Sequence, residues 1–581
     1  MDMTTTAERL VEVLESLGID RVYGFPGGRV IELLEHIEAA PIELVRGRDE
    51  REASVMAEAH GRLTGEPGVL LGQGPWIGSI GAFGQMEARL GSSPMVAITE
   101  ASERGEYATL APYQQARGDY GGLDLPSILD GITKEHWEPR RPTETVRALQ
   151  LAVKHATAGR PGPTAVVLDG AAVTEDVPPN PVPPVWDTAA QVRTWASAPT
   201  AADVATAAEA MATADRPVIV AGNGVHASAR AADAGFRESA DPPDAYAALQ
   251  AVADAYDAVV TTSYLGKSTI PETHDRAAGV IGAFGHEGAN QAVSEADTLL
   301  VVGSRLNPMD TNWTAPSFIR PDEQTIVHAD VDPRNTGWVY PADVGLVGDA
   351  GETLRALREA APDHAGGTGW ALDRAATARE DFTAPACESD AAPVKPQRAV
   401  AEIDRVVDED TIVTADSGNN RFWLLHYLQA PAVGTYFGSG GVGGMGWAVP
   451  AAVSAALATD RDVIAVAGDG GFSLSMNSVE TAVECGVAPT FVVLNDTSLG
   501  MVRQMGAVAG AEFVDTDFVK VADAFGADGV RVDTPDGLGA ALRDARGAEL
   551  PTVVDVRIDR EEEMAETLSS SFYESVGGLH E

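Results

Sequence analysis

Two acidic residues, each closing an apolar run, are the first feature of this chain with chemical potential. Asp469 stands in "VIAVAGDGG" with glycine on either side, and Asp496 ends "TFVVLND", 27 positions further on. That interval is the length of one strand, helix and returning strand, with the helix expected from Ser478 to Glu484. Parallel neighbours would bring both carboxylates to the same sheet edge. Flanking glycines let backbone approach a bulky anion with no Cβ in the way. Magnesium takes hard oxygen ligands in a tight octahedron and commonly shares them with phosphates. The unit therefore reads as a Mg2+-diphosphate clamp, a reading that rests on the whole run rather than on the GDG alone.

Such a clamp needs a parallel sheet to hold it, and the rest of the chain supplies the pattern. Proline-rich "EDVPPNPVPPVWDT" (Glu175 to Thr188) and the mixed stretch from Pro362 to Pro396 read as linkers. They leave three blocks, expected as domains over 1–178, 190–362 and 393–562. In the first, "RVYGF", "IELVR", "GVLLGQG", "PMVAIT" and "PTAVVLD" read as strands, and "EREASVMAEAHGRLTG" as a helix stopped at Gly65. The second has "RPVIVAGNG", "AVVTTS", "TLLVVGSR" and "TIVHADVD"; the third has "TIVTADSG", "GTYFGSG", "DVIAVAGDG", "TFVVLND" and "PTVVDVRID". Apolar runs alternating with helical segments predict an α/β fold of three doubly wound parallel sheets. Ligands of such sheets gather beyond the carboxyl ends of the strands.

Composition narrows the function classes. With 41 basic and 86 acidic residues among 581, the net charge is −45 and the pI near 4.4. Nucleic acid and anionic membranes are repelled by such a surface. Lys134, Lys154, Lys267, Lys395 and Lys520 are the only lysines. Acidic, lysine-poor surfaces resemble those of proteins from salt-loaded cytoplasms, where about 1 M salt shortens the Debye length to roughly 3 Å. Two cysteines, Cys387 and Cys485, make no disulfide framework or metal spacing, and a reducing cytoplasm is expected. The first residues lack a signal-peptide pattern, and no apolar run reaches the roughly 20 residues of a membrane helix. No GxGxxG opens a helix after a strand, which speaks against a nucleotide-dependent dehydrogenase.

"GDG" followed by "ND" resembles the thiamin diphosphate motif, and the similarity extends along the chain to the acetolactate synthase large subunit and its relatives. The resemblance implies that Asp469 and Asp496 are Mg2+ ligands by side chain and Ser498 by its carbonyl, with Gly470 and Gly471 beside the diphosphate. "GFPGG" resembles the loop beside the cofactor, with Pro26 and Gly27. "RDEREASVMAEAHGRLTG" resembles the catalytic-glutamate helix and assigns that glutamate to Glu50. "SGGVGGMGWAVPAA" resembles the segment supporting the bent cofactor, with Met445 under the thiazolium and Gly443 near the aminopyrimidine. "ADSGNN" resembles the turn near the diphosphate, with Asn419 and Asn420 replacing the usual Gln-His. The first and third blocks then bind the pyrimidine and the diphosphate. Thiamin serves as an electron sink when a 2-oxo acid loses CO2, and Glu50 would promote the imino tautomer that activates it. In the family the glutamate and the clamp belong to different subunits, so a homodimer or homotetramer is implied.

Other positions bear on the substrate. "APYQQ" resembles a family stretch that places Gln114 near the reacting carbonyl, although Gln114 is equally a plain loop amide. "ITKEHW" resembles the family's Thr-Lys element at Lys134. "GAFGHEG", "GSRLNPMD" and "HADVDP" resemble elements that hold FAD in acetolactate synthase and would involve His286, Arg305 and Asp330; a flavin-free domain fits as well. The family's Asp-Asp-Arg reads Asn307-Pro308-Met309 here, and a thioether cannot replace a bidentate guanidinium. The tryptophan after "LGMV-x-Q" is Met505. The expectation is a thiamin diphosphate- and Mg2+-dependent, acetolactate synthase-like enzyme that decarboxylates a 2-oxo acid and either releases the aldehyde or joins it to an acceptor. The alternatives are a simple decarboxylase and a non-catalytic thiamin-binding homologue, which would have no use for Glu50. The acidic segment "REEEMAETLSSSFYESVGGLHE" reads as a solvated tail.

Overall fold

The structure is a computed structural model that describes residues 4–101, 123–238, 241–362, 369–504, 506 and 509–563. Gln114, Met505 and most of the acidic tail lie outside the described residues.

Three six-stranded sheets, every pairing parallel, fall in succession along the chain. The first runs Glu43–Arg46, Arg21–Gly24, Gly68–Leu71, Met95–Ala101, Pro163–Asp169, Glu135–Trp137. The second runs Ala277–Val280, Val259–Thr262, Pro217–Ala221, Thr298–Val302, Thr325–Asp330, Val344–Val347. The third runs Tyr436–Gly438, Thr411–Ala415, Asp462–Gly468, Thr490–Asn495, Thr552–Arg557, Asp528–Val532. Helices fill the crossovers, giving the expected α/β class of three doubly wound sheets.

In each sheet the chain builds outward first on one side of the opening strand and then on the other. The reversals lie between Arg21–Gly24 and Gly68–Leu71, between Pro217–Ala221 and Thr298–Val302, and between Thr411–Ala415 and Asp462–Gly468. Loops leaving these strand pairs diverge, so a crevice opens at each reversal.

Four strands of the six-stranded sheets escaped the sequence reading: Glu135–Trp137, Ala277–Val280, Val344–Val347 and Asp528–Val532. Each is at or beside a sheet edge, where apolar patterning is weakest. The stretch read as a linker from Pro362 to Pro396 instead contains a helix, Trp370–Ala378, whose Ala371 and Ala378 pack into the core of the second block. Another helix was unforeseen as well. Asp469–Ser475 starts at the GDG itself, ahead of the expected helix, which spans Ser478–Cys485.

The first and third blocks share one apolar core. The Glu50–Thr64 helix, capped by the Asp49 side chain and ended at Gly65 with φ +76, contributes Ala53, Ala57 and Met56. The Ala448–Ala458 helix faces it with Ala448, Ala451, Ala452 and Ala455. Small residues on both sides bring the backbones close, the condition for tight helix packing. The side chain of Ser454 locks the pair by donating to the Met56 carbonyl at 2.8 Å.

Candidate functional site

The crevice of the third sheet holds the acid pair. Gly468 is in register with Leu494 on the neighbouring parallel strand, so Asp469 and Asp496 leave the sheet at the same edge. Both line a cleft of ≈ 840 Å³, partly open to solvent, together with Asn419, Asn420, Met445, Gly470, Gly471 and Ser498. Asp469 is 5% exposed. Burial, and after it the neighbouring Asp496, pushes its carboxyl up to about 7. Burial likewise raises Asp496. Two carboxylates that each resist ionisation beside the other call for a cation between them. Among the described residues no group of three His, Cys, Asp or Glu side chains converges on a metal. A two-acid site is nonetheless the arrangement magnesium uses when phosphate oxygens and water complete its shell.

Local bonds aim these groups. Asn495, the other half of the Asn-Asp pair, turns away: its Nδ2 donates to Asp555 Oδ1 at 2.8 Å and its Oδ1 accepts the Thr497 N–H. Asp496 alone faces the cleft, with Oδ1 accepting the Ser498 N–H at 3.0 Å. The Ser498 hydroxyl and the Asn419 Oδ1 are buried without partners, polar atoms that a bound ligand would satisfy. A Cβ on Gly500 would come within 2.7 Å of Asp496 Oδ2, and one on Gly470 within 2.9 Å of Leu499. The glycines here keep the cleft open. Asn420 serves its wall, donating to the Asp416 carbonyl at 2.8 Å.

Asp416, which the sequence reading passed over, ends the strand on the other side of the same reversal. Fully buried, it accepts the N–H groups of Ser417, Gly446 and Trp447. Burial pushes it up to about 6. It thereby fastens the segment that carries Met445. Its signal was present, since "TIVTAD" has the same strand-then-acid form as "VIAVAGD".

The remaining cofactor candidates follow the first strands of the first sheet: Pro26 and Gly27 come after Arg21–Gly24, and Glu50 opens the helix after Glu43–Arg46. Glu50 is 7% exposed at the start of its helix, near Gly72 and Gly81, whose missing Cβ atoms leave it room. Burial raises its carboxyl. Gly27 lies against Gln73, and Gly28, at φ +58, against Glu100. Neither Glu50, Pro26 nor Gly27 lines the Asp469 cleft. Gly443 is intermediate between the two, with φ +74 and its N–H directed to Glu87 in the first block. Arg51, the residue after Glu50, donates to the carbonyl of Met445 on the cleft, so the two groups of residues meet at that segment.

The crevice of the second sheet is a cavity of ≈ 820 Å³ lined by Arg305, Asp330, Arg160, Arg237 and the glycines 224 and 303. Arg305 donates to the Leu90 carbonyl at 2.9 Å. Asp330 accepts from Asp332 N–H and Asn335 Nδ2. Arg160 is pushed down to about 10 by burial and then by the nearby Arg305, with Asp330 and Asp332 opposing the shift. His286 is not on this cavity. It is buried, with Nδ1 on the Val280 N–H and Nε2 on the His426 carbonyl, and its ring lies against Phe382. Burial, and then His426, holds it well below the usual imidazole range. Lys134 spends its ammonium on the carbonyls of His155, Ala158 and Arg160 at the end of the Pro142–Thr157 helix.

Three parallel sheets, each reversing its strand order, with an acid pair at one reversal and a cavity lined by both arginines and aspartates at another, define an α/β protein of doubly wound domains. In chain order the blocks match the thiamine pyrophosphate enzyme N-terminal TPP binding domain over residues 4–120, the central domain over 204–357 and the C-terminal TPP binding domain over 416–556. The chain belongs to the thiamine pyrophosphate enzyme family. It is 29% identical to a probable acetolactate synthase large subunit of Methanocaldococcus jannaschii, covering 95% of this chain and 92% of that protein. It is 28% identical to the acetolactate synthase isozyme 3 large subunit of Escherichia coli, over 97% and 96%. A putative thiamine pyrophosphate-containing protein of Bacillus subtilis is 26% identical, over 96% and 92%. Among the described residues no helix is long and apolar enough to cross a membrane.

Proposed function

We propose that the chain is a thiamin diphosphate- and Mg2+-dependent enzyme that decarboxylates a 2-oxo acid and joins the remaining fragment to an acceptor, in the manner of acetolactate synthase. The observation that carries the reading is the buried acid pair, Asp469 and Asp496, on a glycine-lined cleft at the reversal of a parallel sheet. Asp469 and Asp496 by side chain, and Ser498 by carbonyl, hold the metal. Gly470 and Gly471 leave space for the diphosphate, with Asn419 and Asn420 at its edge. By similarity, Met445 would support the thiazolium part of the cofactor and Gly443 would stand near its aminopyrimidine. When bound, the cofactor supplies an electron sink for loss of CO2.

Glu50 supplies the proton relay to the aminopyrimidine. Burial raises its carboxyl above the usual carboxylate range. Because Glu50, Pro26 and Gly27 do not line the clamp's cleft, a second copy of the chain completes each site, as a homodimer or homotetramer. Gln114 is assigned to the reacting carbonyl by similarity alone. The arginine-lined central cavity supports a bound FAD through Arg305 and Asp330, while His286 would contribute only as a buried strut. Two free cysteines and the acidic surface fit a reducing, saline cytoplasm.

One observation favours a second reading, simple decarboxylation with release of an aldehyde. Met309 occupies the position of the acceptor-binding arginine, and its N–H is tied to Asn307 Oδ1 at 2.9 Å, so no guanidinium is available there. Incubating the protein at molar salt with a panel of 2-oxo acids separates the readings. CO2 release dependent on both thiamin diphosphate and Mg2+ is expected; its absence with every substrate defeats the proposal. Acetolactate as the main product supports ligation, and free aldehyde supports the second reading.

A further inference from the structure

The segment carrying Met445 is held from the first block by a carboxylate with no assigned role. Glu87, on the Ala82–Gly91 helix, is completely buried. Its Oε2 accepts the Gly441 N–H at 2.8 Å. Its Oε1 accepts the N–H of Val442 at 3.1 Å, that of Gly443 at 2.8 Å and the Ser439 hydroxyl at 3.2 Å. Three consecutive backbone donors converging on one side chain form an anion-holding concavity. Here the anion belongs to the protein. A carboxylate offers about four acceptor positions, and these four donors, with the Arg62 guanidinium at 3.5 Å from Oε2 as a fifth, leave none of them unused.

The surroundings make this contact costly to lose. Arg62, also buried, stands 3.5 Å from Glu87 and pairs with Glu58 at 2.6 Å; Glu58 in turn accepts the Trp447 indole N–H at 2.7 Å. Arg51, adjacent to Glu50, donates to the Met445 carbonyl. The loop from Ser439 to Trp447 is therefore gripped at its start by Glu87 and at its end by Glu58 and Asp416. Met445 and Gly443 lie between the grips.

We propose that Glu87 is a positioning residue for the cofactor: it sets the Gly441–Gly443 turn and through it the height of Met445 on the cleft. This rests on the reading of that cleft as the thiamin diphosphate site. Glu87→Gln keeps the shape but aims an NH2 at a backbone N–H whichever way the amide is turned. Gly441→Ala leaves the buried charges intact but places a Cβ 2.6 Å from Glu87 Oε2, displacing the turn.

The test uses the full chain at fixed Mg2+ in high salt, following cofactor binding by quenching of tryptophan fluorescence, to which Trp423 on the cleft contributes. Both variants are expected to bind thiamin diphosphate roughly tenfold to a hundredfold more weakly, the scale of lost charge-assisted hydrogen bonds. The unfolding midpoint of the cofactor-free Glu87→Gln chain should fall, because Arg62 loses a buried partner, while the KM for the 2-oxo acid should change little in both variants. Wild-type cofactor affinity in either folded variant overturns the assignment. If Glu87→Gln does not fold, Gly441→Ala decides alone. Failure of both to fold also overturns it, because the contact would then serve folding rather than cofactor placement. A wild-type chain that does not bind the cofactor refutes the underlying functional reading instead.

Discussion

Asp416 receives the backbone N–H of Gly446 on both of its carboxylate oxygens, each at 2.9 Å. Burial raises this group from 3.8 to about 6. A carboxyl with a raised native pKa adds stability that is complete below its unfolded value and is lost as pH rises through the native one. Asp416→Asn keeps an acceptor for these N–H groups and removes the titration. Its melting temperature relative to wild type should therefore improve from about pH 4 to about pH 8. Parallel melting curves across that range would show that Asp416 does not titrate as argued.

The two clamp acids should not respond alike to substitution. Asp469→Ala removes a buried charged ligand, and the Mg2+-dependent affinity for thiamin diphosphate is expected to fall about a hundredfold, the scale of a broken buried ion pair. Asp496→Asn keeps the oxygen and reduces negative charge beside the diphosphate, so affinity should stay within about tenfold of wild type. Titration calorimetry measures both; equal losses would mean that the pair does not share one ion.

Completion of each site by a second copy makes a mixing experiment decisive. Glu50→Gln should cut turnover by about two to four orders of magnitude, the worth of general acid-base assistance, while leaving cofactor binding largely intact. Asp469→Ala should be inactive through loss of the clamp. Co-assembling the two inactive chains yields mixed dimers with one site built from two wild-type halves. About a quarter of wild-type activity should return on random pairing. No recovery from mixed, reassembled dimers would argue that each site belongs to a single chain.

Salt should stabilise the protein. At −45 the chain repels itself, and raising salt from about 0.1 M to about 1 M shrinks the Debye length from roughly 10 to 3 Å. The melting temperature should rise with potassium chloride over that range. A flat or falling profile would remove the salt-adapted reading of the surface.

Much of this site was legible because its signals are local. Apolar, β-branched runs ending in Asp469 and Asp496 announce strands whose ends carry chemistry, and the crossover length fixes them as neighbours. Glu87 carries no such signal. Within "AFGQMEARLG" it looks like an ordinary solvated glutamate, and its partners lie 354 to 356 positions further along the chain. Tertiary pairing of that range leaves no local period. "DGVRV" went unread as a strand because it opens with Asp-Gly and is only partly buried at the sheet edge. The Asp469–Ser475 helix went unread because consecutive glycines disfavour helix; close packing at the sheet reversal overrides that preference.

The bond from Asn495 to Asp555 has a consequence for how the protein is made. Asp555 also takes the Arg531 guanidinium at 2.7 Å, so the strand that sets the direction of Asp496 is itself braced by the next segment in the sheet. A polypeptide leaving the ribosome exposes Asp469 and Asp496 well before Asp555 has been synthesised. Until that late strand docks, Asn495 lacks the partner that turns it from the cleft, and the neighbouring Asp496 lacks that brace.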